Sequence, residues 1–207
     1  VQMHPHRLAV RQRVVDQVAD RAPQHRQLAG VRRRHRLARH TLGELDRARS
    51  ALSQIETIHA GLQKSPIAGP YDWTNQVASA RMAAAAWLAY AEGHKDEAVE
   101  MARLAADLEE KTGKHPVTPG PPLPARELLG DLLLEMGQPA EALYAYDASL
   151  RDAPNRFNSL YGAARAAELT GNSERARTLY VALLTQGVAN SQRPELAEAR
   201  KFLAASH

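Results

Sequence analysis

The sequence has no cysteine and few aromatic residues. Without thiols the chain forms no disulfide, zinc–thiolate centre, iron–sulfur cluster or cysteine nucleophile. Aromatic residues make up only 5% of the 207 positions and alanine is abundant, which favours closely packed helices over sheets. No apolar run reaches the ~18–20 residues needed to span a bilayer. No signal-peptide pattern opens the sequence either, so we expect a cytoplasmic protein.

Residues 1–40 are unusual in charge and in composition. They hold ten arginines, no lysine and only the acids Asp16 and Asp20, so their net charge is +8, whereas residues 41–207 carry −4. Apart from Met3, every residue in this segment has a codon that begins with G or C. A GC-rich gene read in a shifted frame gives this composition. We therefore hypothesise that residues 1–40 are a reading-frame or start-site artefact.

A genuine basic arm is the alternative interpretation of the same segment. Its ligand would be nucleic acid or an acidic partner, because clustered arginines bind phosphates and carboxylates. No aromatic residue lies between these arginines, so a base-stacking platform is missing. An ordinary solvated or helical segment is a third interpretation. The clustered arginines are Arg32, Arg33, Arg34, Arg36 and Arg39.

Two later stretches repeat each other at a spacing of 34 residues. In the first, Ala142, Tyr146 and Leu150 recur at the period of a helix, which predicts an amphipathic helix. Gly137 is placed to end the preceding helix, and Pro154 to stop this one. Each stretch therefore predicts two helices joined by a short turn. The equivalent residues are Gly137 and Gly171, Ala142 and Ala176, Tyr146 and Tyr180, and Leu150 and Leu184.

This pattern resembles the tetratricopeptide repeat, a 34-residue helix–turn–helix. The resemblance implies an all-α, right-handed solenoid of antiparallel helix hairpins, in which small residues lie where helices cross. It also extends to the C-terminal part of a larger bacterial protein of this family, through the succession HPVTPG, PARELLGD, NRF and LYGAARAAE. The residues expected to pack the repeats are Gly93, Ala98, Gly130, Gly137, Ala142, Tyr146, Pro154, Gly171, Ala176 and Tyr180.

The resemblance covers residues 41–207, which we treat as one helical repeat domain. A proline-rich insert at 113–124 separates two of its hairpins, because five prolines in twelve residues exclude a helix. This insert would fold over the repeats as a lid or serve as a peptide ligand for a partner. The expected hairpins lie at about 42–63, 72–112, 123–154 and 157–187, with a capping helix at 194–206.

The resemblance implies a non-enzymatic scaffold that binds an extended peptide or a partner helix in a concave groove. Members of the family that clamp a terminal carboxylate use basic residues where this chain has Glu127 and Asp131, which favours a basic or neutral partner. The alternative for Trp87 and Tyr90 is a place in the core. For the acidic residues the alternative is a solvated acidic stripe on the surface. By register, the groove residues are Trp87, Tyr90, Glu127, Asp131, Glu135, Asn158, Tyr161, Arg165 and Glu168.

No spacing in the sequence matches a known catalytic, cofactor or metal motif, so we expect none of these sites. The histidines outside residues 1–40 are scattered, and His115 in the insert is interpreted as a hydrogen-bonding residue of the loop. One alternative remains from another class of function. It is an enzymatic, metal-binding or small-molecule site around the insert, with His115, Trp73 and Glu110 lining a pocket.

Overall fold

The described part of the chain consists mainly of α-helices. The computed structural model describes residues 31–69, 71–112, 121, 123–186 and 193–205, and only the backbone of residues 31–43. In this part of the chain there are helices and no strands, which confirms the all-α prediction. The helices are α1 (Val31–Lys64), α2 (Trp73–Glu92), α3 (Lys95–Thr112), α4 (Ala125–Glu135), α5 (Pro139–Asp152), α6 (Phe157–Leu169), α7 (Ser173–Gln186) and α8 (Pro194–Ala205).

The predictions for residues 1–30 and for most of the 113–124 insert lie outside the described residues. Helix α1 begins at Val31 and therefore crosses the boundary placed between residues 40 and 41. Of the five clustered arginines, only the backbone is described, and it is helical. The reading-frame hypothesis and the basic-arm hypothesis both stay predictions.

Three turns with one geometry join α2 to α3, α4 to α5 and α6 to α7. Each contains a glycine at positive φ. The φ angle is 98° at Gly93, 72° at Gly137 and 78° at Gly171. This left-handed conformation is strained for any residue with a Cβ atom. The amide after each glycine donates a hydrogen bond to a carbonyl five residues earlier. These bonds join His94 to Ala89, Gln138 to Leu133 and Asn172 to Ala167, each at 2.9 Å.

Each helix packs against the next helix in the chain, and α4 also contacts α2 and α6. Because the turns are so short, the two helices that each turn joins are antiparallel. Alanine side chains fill much of the space between them, for example the fully buried Ala98, Ala142 and Ala176. Small side chains let helix axes approach closely, and no larger residue would fit at these positions without moving a helix.

Tyr146 occupies the centre of the packing between α4, α5 and α6. Its side chain is 1% exposed, and its ring lies against Gly130 of α4 and Gly162 of α6. A Cβ atom at Gly130 would come within 2.8 Å of the ring, and one at Gly162 would come within 2.2 Å. Both glycines are therefore required by the tyrosine, because real Cβ contacts are never this short.

Helix α1 packs against α2 but contributes no buried side chain among residues 44–64. The side chains that are partly covered recur along one face, as an amphipathic helix requires. They are Glu44, Leu45, Ala48, Leu52, Ile55, His59 and Leu62. On another side of α1, Ile58 is 56% exposed. Among the described residues, no helix combines the length and the apolar character that crossing a membrane needs.

The contact between Gly162 and Tyr146 leads to a test with a matched control. Gly162→Ala should destabilise the fold by about 1–3 kcal/mol, because the ring is buried and has no room to retreat. Gly61→Ala, in α1, should instead stabilise it by about 0.5–1 kcal/mol, since nothing lies within 4 Å of the added methyl group and alanine favours the helix. Urea denaturation measures both. Equal effects of the two substitutions would contradict this account of Tyr146.

Candidate functional site

Glu127, one of the predicted groove residues, lies inside the protein. It follows the start of α4 by two residues and is 0% exposed. Arg156, at the start of α6, donates from Nε to Oε2 of Glu127 over 2.7 Å. The Ser159 hydroxyl donates to the same oxygen over 2.6 Å. The expectation that Glu127 faces solvent or a partner is therefore wrong, because its charge is neutralised within the core.

This buried group continues to α5 and so connects three helices. The hydroxyls of Ser149 and Ser159 lie 2.9 Å apart, and both serines are buried. Arg156 keeps 22% of its side chain exposed, so its cationic head reaches the surface while its partner does not. A buried carboxylate is tolerated only where it is paired and hydrogen-bonded, as it is here. The role of Glu127 is to hold α4, α5 and α6 together.

The two predicted aromatic residues of α2 divide between core and surface. Trp87 is 9% exposed and belongs to the core, which agrees with the alternative reading of this residue. Tyr90 is partly buried, with its ring 6.1 Å from that of Trp87 in an edge-on arrangement. The Tyr90 hydroxyl donates to the backbone carbonyl of Glu135 over 3.3 Å. This bond brings α2 beside the C-terminal end of α4.

Two of the three acids of α4, Asp131 and Glu135, lie toward that end. Asp131 accepts a hydrogen bond of 2.7 Å from the hydroxyl of Tyr146, whose ring is buried. Glu135 follows one turn later and is half-buried. Burial, and then the negative charge of Asp131, raise the pKa of Glu135 above its ordinary value of 4.5. Its carboxylate forms no ion pair with any residue that the structure describes. This end of α4 therefore presents negative charge beside an aromatic ring.

On α6 the predicted residues are joined to each other and to α7 and α8. Glu168 accepts hydrogen bonds from Arg165 over 3.0 Å and from Tyr180 over 2.9 Å. Tyr161 donates to Glu198 of α8 over 2.5 Å. Burial, followed by these hydrogen bonds to carboxylates, raises the pKa of Tyr161 and of Tyr180. Both phenols therefore stay protonated at neutral pH.

The last predicted residue, Asn158, lies near the start of α6, where α8 also begins. Its side-chain oxygen accepts a long hydrogen bond of 3.4 Å from Arg193. The Arg193 guanidinium stacks over the ring of Phe157, 3.8 Å from the ring centre. Such a cation–π contact fixes the residue ahead of α8 to the start of α6. Asn158 is thus already engaged by the chain itself.

Two contacts between helices could not be predicted from the sequence. Glu198 bonds to Tyr161, but nothing in its surroundings in the sequence marks it, because the pairing depends on how α8 docks. Glu109 of α3 accepts the backbone N–H of Ala125 over 2.9 Å and so caps the first turn of α4. Burial raises the pKa of Glu109 more than this hydrogen bond lowers it. The pair Glu109-Glu110 was visible in the sequence, but its distant partner was not.

The residues predicted to line a pocket around the insert do not form one that the structure describes. His115 lies outside the described residues. Glu110 pairs with Arg126 over 2.7 Å. Trp73 is 41% exposed and contacts the ring of Tyr71 edge-on at 4.6 Å. In the described part of the chain, no three histidine or acidic side chains are grouped as a metal ion would require.

No protein-family model matches the chain, and no curated protein matches it with significance.

The buried ion pair should contribute far more to stability than an exposed one. Arg156→Met leaves the Glu127 charge uncompensated and should cost about 3–5 kcal/mol, as for other broken buried pairs. Arg103→Met removes the exposed pair with Glu141, in which both side chains are about half exposed, and should cost about 0–1 kcal/mol. Denaturant unfolding measures both values. Replacing Glu127 by leucine as well should recover most of the first loss, and a failure to recover it would show that Arg156 acts through other contacts.

The pKa of Glu135 predicts how stability changes with pH. Since the pKa of Glu135 in the folded state lies above its ordinary value of 4.5, the folded state binds the proton more tightly than the unfolded state does. The stability that protonated Glu135 contributes is fully present below pH 4.5. It is lost as the pH rises through the raised pKa of the folded state. Glu135→Gln should therefore stabilise the protein at pH 7 relative to the original, with a smaller gain at pH 4. Thermal unfolding across this range measures the difference. A gain independent of pH would contradict it.

Proposed function

We propose that the described helices form a tetratricopeptide-like, right-handed solenoid. Three turns of equal geometry and sequential packing of neighbouring helices support this proposal. Further support comes from α5 and α7, which are both 14 residues long and begin 34 residues apart, at Pro139 and Ser173. In such an array α2, α4 and α6 line one face. That face would carry the half-buried residues described above.

The function that we propose for this face is non-enzymatic binding of an extended peptide or a partner helix. The observation that carries it is the half-buried Glu135 carboxylate, which has no ion-pair partner among the described residues and lies next to Asp131 and Tyr90. Negative charge beside an aromatic ring suits a lysine or arginine side chain. Glu127 is not part of this surface. We call the surface formed by Tyr90, Asp131, Glu135, Asn158, Tyr161, Arg165 and Glu168 the acidic–aromatic face.

The titratable groups of the acidic–aromatic face suit binding better than catalysis. Its carboxylates outnumber its cations, with Asp131, Glu135 and Glu168 against Arg165. The raised pKa of Tyr161 keeps the phenol protonated, so it is a hydrogen-bond donor and not a base. A partner would therefore be recognised by charge and by contact with aromatic rings. A basic or neutral segment fits these requirements, and no cofactor is called for.

A peptide selection tests this proposal. Random 12-residue peptides displayed on phage would be selected against the whole chain, and the best one would be labelled for fluorescence anisotropy. We expect lysine or arginine to be enriched among the selected peptides. Glu135→Lys should weaken binding of the labelled peptide by about tenfold or more, since it replaces an attraction by a repulsion.

The control is Glu174→Lys, which makes the same charge change on an exposed residue of α7. It should leave the affinity within about twofold of the original, as expected for a charge away from the contact. Equal binding by the original protein and by Glu135→Lys would contradict the assignment of the acidic–aromatic face. Selection of acidic peptides would contradict the proposed partner.

A further inference from the structure

A shallow, open cleft lies between α3 and the start of α5. Val99 and Leu104 of α3 and Met136, which ends α4, form its apolar floor. Leu104 is 52% exposed, so its side chain is open to solvent. The floor is small and offers contact to a single apolar side chain of a ligand.

Acidic side chains surround this floor. Asp96, Glu100, Asp107 and Glu141 line the cleft, and Arg103 is its only cation, so the lining carries a net charge of −3. Glu141 is paired with Arg103 across the cleft, and Asp107 is paired with Arg126. Asp96 and Glu100 form no ion pair or side-chain hydrogen bond with any described residue. Two carboxylates at the rim are therefore still able to pair with a ligand.

At the neighbouring junction, between α5 and α7, different side chains occupy the equivalent positions. The glycine turns place Leu104 in register with Ala148, which is 6% exposed. In the same register Asp96 corresponds to Ala140 and Glu100 to Tyr144. A feature imposed by helix packing would occur at both junctions. Tyr144 is 70% exposed, so both junctions carry an exposed large apolar side chain, and the two acids without an ion pair distinguish the junction between α3 and α5.

We propose that this cleft, which we call the α3–α5 cleft, binds a basic segment of a partner protein. The segment would place a leucine or isoleucine side chain on Leu104, with a lysine or arginine pairing to Asp96 and Glu100. Charge complementarity supports this occupant, since the lining carries −3 and the floor is apolar. The cleft shares no residue with the acidic–aromatic face, so the proposal goes beyond the one made above and does not depend on it.

A direct binding test uses a labelled 12-residue peptide that alternates lysine with leucine. In a second probe glutamate replaces lysine, which keeps the apolar residues and removes the positive charge. In a third, serine replaces leucine, which keeps the positive charge and removes the apolar residues. Fluorescence anisotropy should show binding of the first probe and binding at least about tenfold weaker for each of the others. Equal binding of the lysine–serine probe would show general electrostatic attraction and would overturn the proposal.

Variants of the protein locate the contact. The double substitution Asp96→Lys and Glu100→Lys should weaken binding of the lysine–leucine probe by about tenfold or more. Leu104→Ser should weaken it without changing charge. The matched control is Glu56→Lys with Glu174→Lys, which adds the same charge on exposed residues of α1 and α7.

The control variant should bind the probe within about twofold of the original protein, because its substitutions lie away from the cleft. Circular dichroism would show that each variant is folded, and all the substituted side chains are exposed. Equal weakening in the control, or full binding by the cleft variants, would overturn the proposal. Salt-sensitive self-association that disappears in the cleft variants would also overturn it, since the occupant would then be a second copy of this chain.

Weakening by Glu135→Lys does not bear on the cleft, because that residue lies on the acidic–aromatic face. Conversely, the cleft variants should bind the phage-selected peptide as the original protein does. The two proposals therefore fail independently of each other.

Discussion

Close approach of α4, α5 and α6 around Tyr146 is the constraint on which the arrangement of the described helices depends. The ring fills the space that Gly130 and Gly162 leave by having no side chain, and its hydroxyl reaches Asp131 over 2.7 Å. A single residue thereby fixes the distance between helices and the position of a carboxylate. Small residues at the other crossings extend the same packing, since interiors this dense transmit any change in volume.

The buried Glu127–Arg156 pair restricts how the packed helices can slide along one another. Apolar contacts between alanine-rich helices tolerate sliding, because one alanine resembles the next. A charge pair that also binds Ser159 has only one favourable geometry, so it selects a single register for the starts of α4 and α6. Glu135, at the far end of α4, forms no ion pair with any described residue. The two ends of α4 therefore differ in how their carboxylates are neutralised.

Much of this arrangement was visible in the sequence, and the exceptions have a common cause. Helical period and turn glycines depend on neighbouring residues, so the all-α class and the turns at Gly93, Gly137 and Gly171 followed from local pattern. Register indicates which way a side chain points but not how deeply it is covered, and so Glu127 was placed on a surface. The partners of Glu127 and Tyr161 are 29 and 37 residues away, and no local pattern encodes them.

Exposed ion pairs join α3 to α5 and α5 to α7, and they depend on the order of the hairpins. Arg103 of α3 meets Glu141 of α5, whereas at the next junction Asp147 of α5 meets Arg175 of α7, with the signs exchanged. Joining the first hairpin directly to the third would set arginine against arginine. Duplicating the middle hairpin would set Asp147 of one copy against Glu141 of the next. Each exposed pair is worth only about 0–1 kcal/mol. A deletion or copy of a hairpin would therefore replace an attraction by a contact between like charges, at a cost of the same small size.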